Sequence, residues 1–323
     1  MARINVIIPF YQREPGILPV AVKSVFAQGD DELLVTVIDD GSPVSARTEL
    51  SELLMDGFPI VIVEQANAGP GAARNHGLDE TPADVEYIAF LDSDDRWLPG
   101  HLENARTAFR HGADFYFADA DHHERGMTHS RFSECDFGSS LCTALDDGDN
   151  LFLYHGSIFD AILRSSPVGT STVVLRRSIN AFRFPTGLIF GEDKFLWMCL
   201  ASRARQVVFS TRCEAVYGRG VNIYAGATWG TPQALKRMFH TAVIHQSIAR
   251  HFHLNEEQRC WNDEWLSEVR RTFAANLLHL INHRKSIDWR TVASYAARNP
   301  CLAGDILRQV FARGRRRLRG TDQ

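Results

Sequence analysis

Four short apolar runs in the first third of the chain, each followed by a segment of helix length, constrain the fold more than any other feature. They are residues 4–9 (INVIIP), 33–38, 60–63 and 87–91, and a fifth follows at 115–117. Runs that are apolar on successive residues bury both faces of a strand, whereas a sheet with one wet face alternates apolar and polar. Between them, Leu18, Val22, Val25 and Phe26 share one helical face, and the segments around residues 45–56, 70–79 and 99–111 read as further helices. Two-faced strands alternating with helices predict an α/β fold, an open and mostly parallel sheet with helices on both faces.

After Asp119 the pattern changes. Residues 120–150 are polar and rich in Asp, His, Ser and Gly, which predicts long surface loops. Residues 172–175 and 207–210 are expected to return to the sheet on either side of a helix starting near Glu192. Beyond Pro232 the pattern is only helical, with Trp261, Trp265, Val269, Phe273, Leu277 and Leu280 on one stripe. The expected organisation is a main domain over residues 1–230 and a helical C-terminal extension over 231–323.

Bulk properties exclude several classes. A net charge of -4 and a pI near 6.4 supply no basic field for nucleic acid. The six cysteines, Cys135, Cys142, Cys199, Cys213, Cys260 and Cys301, contain no Cys-x-x-Cys pair. They imply neither a zinc ribbon nor a disulfide scaffold, and read as reduced thiols. The N-terminus lacks the order of a signal peptide, and no stretch supplies the roughly 20 apolar residues of a membrane span. The expected location is the cytoplasm.

In an open parallel sheet, ligands collect where the strands end at their carboxyl side. The acidic motifs sit there. VIDDGS places Asp39 and Asp40 at the end of the second strand, where carboxylates can hold a base or ribose, although Asp-Gly-Ser is also an ordinary turn. FLDSDDRWLP crowds Asp92, Asp94 and Asp95 behind the fourth strand. Carboxylates this close repel unless a cation or donors compensate. Such an oxygen cluster suits Mg²⁺ or Mn²⁺, which would neutralise a departing diphosphate. An acidic helix cap, with Asp95 near Pro99, is the simpler account, but three carboxylates exceed what one cap needs. NAGPGAARNHG opens a helix with a Gly-rich turn and offers Arg74 and Asn75 as diphosphate neighbours. In FGEDKFLW, Glu192 and Asp193 begin a helix whose Phe195, Leu196, Cys199 and Leu200 turn inward. A carboxylate at that mouth can take the proton of an attacking hydroxyl, and it can equally be a cap.

Together, VIIPFYQREPGIL, VIDDGS, NAGPGAARNHG, FLDSDDRWLP and GEDKFLW, in this order, resemble the family 2 glycosyltransferases with a GT-A (Rossmann-like) fold, over roughly residues 3–220. The resemblance implies a nucleotide-binding half at 1–118 and an acceptor half at 119–230. It implies that Pro9, Tyr11, Glu14, Asp39, Asp40, Asn67, Gly69, Arg74, Asp92 and Ser93 bind a nucleotide-sugar donor. Asp94 becomes the metal ligand of the DxD motif, for Mg²⁺ or Mn²⁺, and Asp193 the base, with Glu192 beside it. Similar enzymes invert the anomeric centre in one displacement, which needs one base. Two departures stand out: Gln12 replaces a frequent asparagine, and residues 217–224 lack the histidine that some relatives use as a further metal or phosphate contact. Arg219 and Asn222 are the candidates there. YQREPGIL is similar to exopolysaccharide enzymes of the succinoglycan type, which implies glucose transfer from a UDP-sugar to a carbohydrate acceptor, a lipid-linked oligosaccharide.

Other readings stay open at this point. A sugar nucleotidyltransferase would share the sheet and acids but wants a Gly-rich loop near the first strand. A haloacid-type phosphatase would carry its DxD after the first strand. A non-catalytic carbohydrate-binding or scaffold subunit would tolerate loss of an acid. Asp119, Asp121, His122, His123 and Glu124 form a second polar cluster, suited to acceptor contacts, a second metal or a solvated loop. His240, His245, His251, His253, His279 and His283 read as structural or surface groups. Finally, Leu302, Ile306, Val310 and Phe311 precede Arg313, Arg315, Arg316, Arg317 and Arg319. That pattern fits peripheral contact with an anionic membrane face, or a solvated tail.

Overall fold

The computed structural model describes residues 2–122, 126–129, 139–145, 150–179, 181–188, 190–218 and 226–318. Its first part runs β1 (Arg3–Phe10), α1 (Leu18–Phe26), β2 (Leu33–Asp39), α2 (Ala46–Glu49), α3 (Ser51–Met55), β3 (Ile60–Glu64), α4 (Pro70–Asp79), β4 (Val85–Phe90), β5 (Arg96–Trp97), α5 (His101–Arg110) and β6 (Phe115–His122). There follow β7 (Met127–Thr128), β8 (Cys142–Ala144), β9 (Leu151–Tyr154), α6 (Ile158–Arg164), β10 (Val174–Arg176), α7 (Glu192–Ala201) and β11 (Val207–Val216).

One sheet carries all these strands in the order β3-β2-β1-β4-β10-β6-β11-β9-β8, with β5 added to β11 and β7 to β6. The pairs β3-β2, β2-β1 and β1-β4 are parallel, as the apolar runs require. Ile4, Val6, Ile7 and Ile8 are fully buried, so β1 is covered on both faces. The second half is mixed. β10 runs antiparallel to both neighbours, β4 and β6, while β6 and β11 are parallel to each other. An apolar run reports burial, and burial is required of a central strand whichever way it points.

Three local expectations are corrected. The single helix around residues 45–56 is two short helices, α2 and α3, broken at Leu50, whose backbone leaves the helical region at φ -101°, ψ 10°. Residues 120–150 are not only loop: β7 pairs with Asp121 and His122, and β8 pairs with β9. Such short edge strands are held by their partner's backbone, which leaves no periodic trace in sequence. Of the C-terminal stripe, Val269, Phe273, Leu277 and Leu280 are buried, whereas Trp265 is exposed.

The chain forms two compact units, Met1–Val221 and Asn222–Gln323. The second contains α8 (Pro232–His251), α9 (Glu256–Asn282), α10 (Trp289–Arg298) and α11 (Leu302–Leu318). Local chemistry sets their starts. Asn255 and Gln258 make a reciprocal capping box at α9, and the Asp288 carboxylate accepts the Arg290 and Thr291 N–H groups at α10. Phe273 stacks on Tyr295 at 3.8 Å within the helical core. Among the described residues no helix is long and apolar enough to cross a membrane.

Candidate active site

The site is built at the carboxyl ends of β1, β2 and β4, which the parallel register brings level: Phe10 lies opposite Asp39, and Ile7 opposite Phe90. Both carboxylates at the end of β2, Asp39 within it and Asp40 just after, are buried and engaged. Asp39 accepts the Ser42 N–H at 2.8 Å and the Ala46 N–H at 3.0 Å, which starts α2. Asp40 accepts Gln65 Nε2 at 2.7 Å, the Ala68 N–H at 2.8 Å and the Gly69 N–H at 2.9 Å, and its carbonyl takes Asn67 Nδ2. The Gly-rich turn ahead of α4 is therefore folded around one carboxylate. Pro9 is the penultimate residue of β1, Tyr11 is half-buried, and Glu14 is exposed in the loop that follows.

The two loops are tied to the acidic turn after β4. Gln12, buried, accepts the Ser42 hydroxyl at its carbonyl and donates from Nε2 to Ser93 Oγ at 3.2 Å. Within that turn the three aspartates divide their work. Asp95 is buried and accepts Ser171 Oγ at 2.5 Å and the Gly218 N–H at 2.9 Å. Burial, then Asp94 and Asp92, push its carboxyl well above the usual range. It does not cap α5, whose N-terminus at Gly100 has no side-chain cap, so the cap reading fails. Asp94 is half-buried in the same turn, and its carbonyl is pressed by Gly218: a Cβ there would lie 1.6 Å from that oxygen. Asp92 keeps a third of its side chain exposed.

Arg74 joins this turn to the mouth of α7. Its guanidinium, 5% exposed, donates from Nη2 to Asp92 Oδ1 at 2.6 Å and from Nη1 to Glu192 Oε1 at 3.0 Å. It lies 5.2 Å from the Phe184 ring centroid, and Phe184 is fixed by a two-way hydrogen bond to Asn75. Burial opposes the arginine's charge, but Asp92 and Glu192 outweigh it, so the group stays ionised. Glu192 is buried too, and burial, with Asp193 adding, pushes its carboxyl up to about 7 against the pull of Arg74. Asp193 is half-exposed beside it and accepts Thr170 Oγ1 at 3.0 Å. Next in the chain, Ser171 accepts the Asp92 N–H at 3.1 Å, so one short turn touches the acids at positions 92, 95 and 193.

The structure thus brings Arg74, Asp92 and Glu192 into direct contact, and links Asp193, Ser93 and Asp39 to them through Thr170, Ser171, Gln12 and Ser42, while Asp40 is bonded within the Gly-rich turn ahead of α4. Arg74 is committed to two carboxylates, so it organises the site from below. Thr170, Ser171, Phe184 and Gly218 were not legible beforehand, because none stands in a charged or glycine-rich motif. Among the described residues no three His, Cys, Asp or Glu side chains form a metal cage. A donor set of one or two exposed carboxylates suits Mg²⁺ or Mn²⁺ completed by phosphate oxygens. Of the second polar cluster, Asp119 accepts its neighbour Ala120 N–H, while His123 and Glu124, with the candidates Arg219 and Asn222, lie outside the described residues. So do the side chains of Arg313, Arg315, Arg316, Arg317 and Arg319.

Comparison with known proteins agrees with this architecture. The sequence profile described as Glycosyl transferase family 2 matches residues 5–179. The succinoglycan biosynthesis protein ExoW of Rhizobium meliloti (strain 1021) is 34% identical over 321 residues, covering 94% of this chain and 96% of its own. Among solved structures, the mannosyltransferase PcManGT from Pyrobaculum calidifontis, in complex with GDP-Man and Mn²⁺, superposes with a TM-score of 0.58 at 14% identity, covering 99% of this chain and 88% of its own. S. aureus TarS 1–349 with UDP-GlcNAc does so at 0.53 and 18% identity, covering 87% and 73%. At such identities these two likenesses concern the fold.

Proposed function

The chain belongs to glycosyltransferase family 2, and from that premise we propose that it is an inverting, metal-dependent hexosyltransferase. It transfers glucose from a UDP-sugar to a carbohydrate acceptor, a lipid-linked oligosaccharide of exopolysaccharide synthesis. The observation that carries the reading is the Arg74 guanidinium shared by Asp92 and Glu192, which fastens the acidic turn to the helix that begins with the base. Donor-side and acceptor-side carboxylates at one guanidinium make one pocket able to hold both reactants.

In this reading Asp39, Asp40, Asn67 and Gly69, with Pro9, Tyr11, Glu14 and Ser93, form the nucleotide side. Asp94 would hold Mg²⁺ or Mn²⁺, and such an ion would supply positive charge against that developing on the leaving diphosphate. Asp193 takes the proton of the acceptor hydroxyl as its oxygen bonds to C1 and the C1–phosphate bond breaks, the electron pair leaving with UDP. Thr170 fixes the rotamer of that carboxylate. Residues 1–118 serve the nucleotide and 119–230 the acceptor, with 231–323 as a helical extension. The similarity to a succinoglycan biosynthesis protein over nearly the whole chain supports the pathway class. Of the apolar stripe on α11, Leu302 and Ile306 pack into the helical core rather than facing outward, and only the exposed Val310 and Phe311 are left to support peripheral contact with a membrane, where a lipid-linked acceptor would be met.

The test is a thermal-shift panel of UDP-, GDP- and dTDP-sugars with and without Mn²⁺, since a ligand stabilises by RT ln(1 + [L]/Kd). A shift confined to UDP-sugars with Mn²⁺, accompanied by UDP release on turnover, is the expected result. Equal shifts without metal, or with GDP-sugars alone, would refute it.

A further inference from the structure

Three hydroxyls stand in succession on the short 3-10 turn Thr170–Thr172, between α6 and β10. All three residues are buried, Thr170 at 6% exposure and Ser171 and Thr172 at 0%, so each acts through the group it holds rather than by touching a ligand. They hold different things. Thr170 Oγ1 donates to Asp193 Oδ2 at 3.0 Å, on the side of the base. Thr172 Oγ1 donates to the Gly169 carbonyl at 2.8 Å and stays within its own turn. Of the three it is Ser171 that reaches the acidic turn, where its Oγ accepts the Asp92 N–H at 3.1 Å and donates to Asp95 Oδ2 at 2.5 Å.

Residues 92–95 form a tight turn closed by the Asp95 N–H on the Asp92 carbonyl at 3.0 Å, with Ser93 and Asp94 at its centre. One oxygen of Ser171 therefore ties the first residue of that turn to the last, and Asp94 lies in the arc between them. The other oxygen of Asp95 accepts the Gly218 N–H at 2.9 Å, so Ser171 supplies one of the two hydrogen bonds that engage this buried carboxyl. The staple is itself anchored on both sides. Trp97 Nε1 donates to the Ser171 carbonyl at 2.6 Å, and the Val173 N–H donates to the Thr170 carbonyl at 3.2 Å. The Val173 carbonyl accepts the Phe90 N–H at 3.2 Å, which fastens the 3-10 turn to β4, the strand that leads into the acidic turn. A buried group that bonds the ligand-bearing turn without meeting the ligand is what a preorganised site requires.

We propose that Ser171 is a positioning residue that sets the metal-binding turn, holding Asp92 and Asp95 together so that Asp94 presents its carboxylate to a divalent cation and a nucleoside diphosphate in one geometry. The inference rests on the transferase reading above and adds a division of labour within three consecutive residues. Ser171 serves the cation and the diphosphate, Thr170 serves the base, and Thr172 serves only the fold of the turn. A turn that were scaffold alone would respond alike to the loss of any of its hydroxyls. No bond is made or broken at Ser171, and its effect on the ligand passes through the turn it holds.

The experiment measures the Kd for UDP by calorimetry, once with Mn²⁺ and once with EDTA, in the full chain and in four variants whose melting temperatures are recorded alongside. Ser171→Ala is expected to cut the gain in UDP affinity that Mn²⁺ brings about tenfold, with the Kd in EDTA unchanged. Ser171→Cys, which fills the space with a weak donor and acceptor, should lose in the same direction and carries the test if the alanine variant does not fold. Thr170→Val and Thr172→Val should keep the whole gain. The proposal is overturned by a wild-type gain in a folded Ser171 variant, by an equal loss at all three positions, or by an equal loss in EDTA, which would put Ser171 behind the nucleotide instead. Failure of both Ser171 variants to fold where Thr172→Val folds would overturn it too, by making the residue part of the scaffold. A wild type that binds UDP no more tightly with Mn²⁺ than with EDTA removes the metal-dependent transferase reading itself, and this inference with it.

Discussion

Glu192→Gln isolates the electrostatics of the buried Arg74 contact. The wild-type carboxyl is pushed up to about 7 in the fold, against 4.5 for the free group. A raised folded pKa means that the native state binds the proton more tightly than the unfolded chain. The resulting stability is fully present below the unfolded pKa and is lost as pH rises through the folded one. Each pH unit spent between the two pKa values removes about 1.4 kcal/mol, so the loss from pH 5 to pH 8 comes to about 2 to 3 kcal/mol. Glutamine keeps the shape and an oxygen that can accept from Arg74 Nη1, but cannot titrate. Urea unfolding of both proteins at pH 5, 6, 7 and 8 should therefore show the wild type losing about 2 to 3 kcal/mol relative to the variant across that span. Curves that stay parallel over the whole range would show that Glu192 is not held in the raised state, and the account of a carboxyl strained by burial would be wrong.

Arg74→Met should cost about 3–5 kcal/mol at pH 8, where Glu192 is ionised and would be left buried without its partner, and less at pH 5, where it is protonated; a cost below about 1 kcal/mol at pH 8 would mean that the guanidinium is dispensable to the site. Gly218→Ala forces the backbone at Asp94 to move and should weaken Mn²⁺-dependent UDP binding while lowering stability by about 1–3 kcal/mol, and unaltered calorimetric titrations would contradict that. Asp94→Asn should abolish metal-dependent turnover, and wild-type rates from it would remove the DxD assignment. Asp193→Asn should keep the affinity for UDP and stop transfer; retained transfer would place the base elsewhere.

The strands around residues 4–9, 33–38 and 87–91, the carboxylates at their ends and the helix opening at Glu192 were all legible in the chain, because each depends on a few consecutive residues whose burial pattern or charge is local. The order of the motifs carried the resemblance to the family. Strand direction in the second half, the fate of each aspartate and the partners of Arg74 were not. Arg74 meets Glu192 across 118 positions, Asp95 meets Gly218 across 123, and Tyr217 meets His129 across 88. A buried polar group must find a donor or acceptor somewhere, but sequence spacing does not say which; only the packing of the sheet against its returning loops decides that. Serine, threonine and glycine at positions 169–171 carry no charge and no period, so their place at the centre of the site follows from tertiary contact alone.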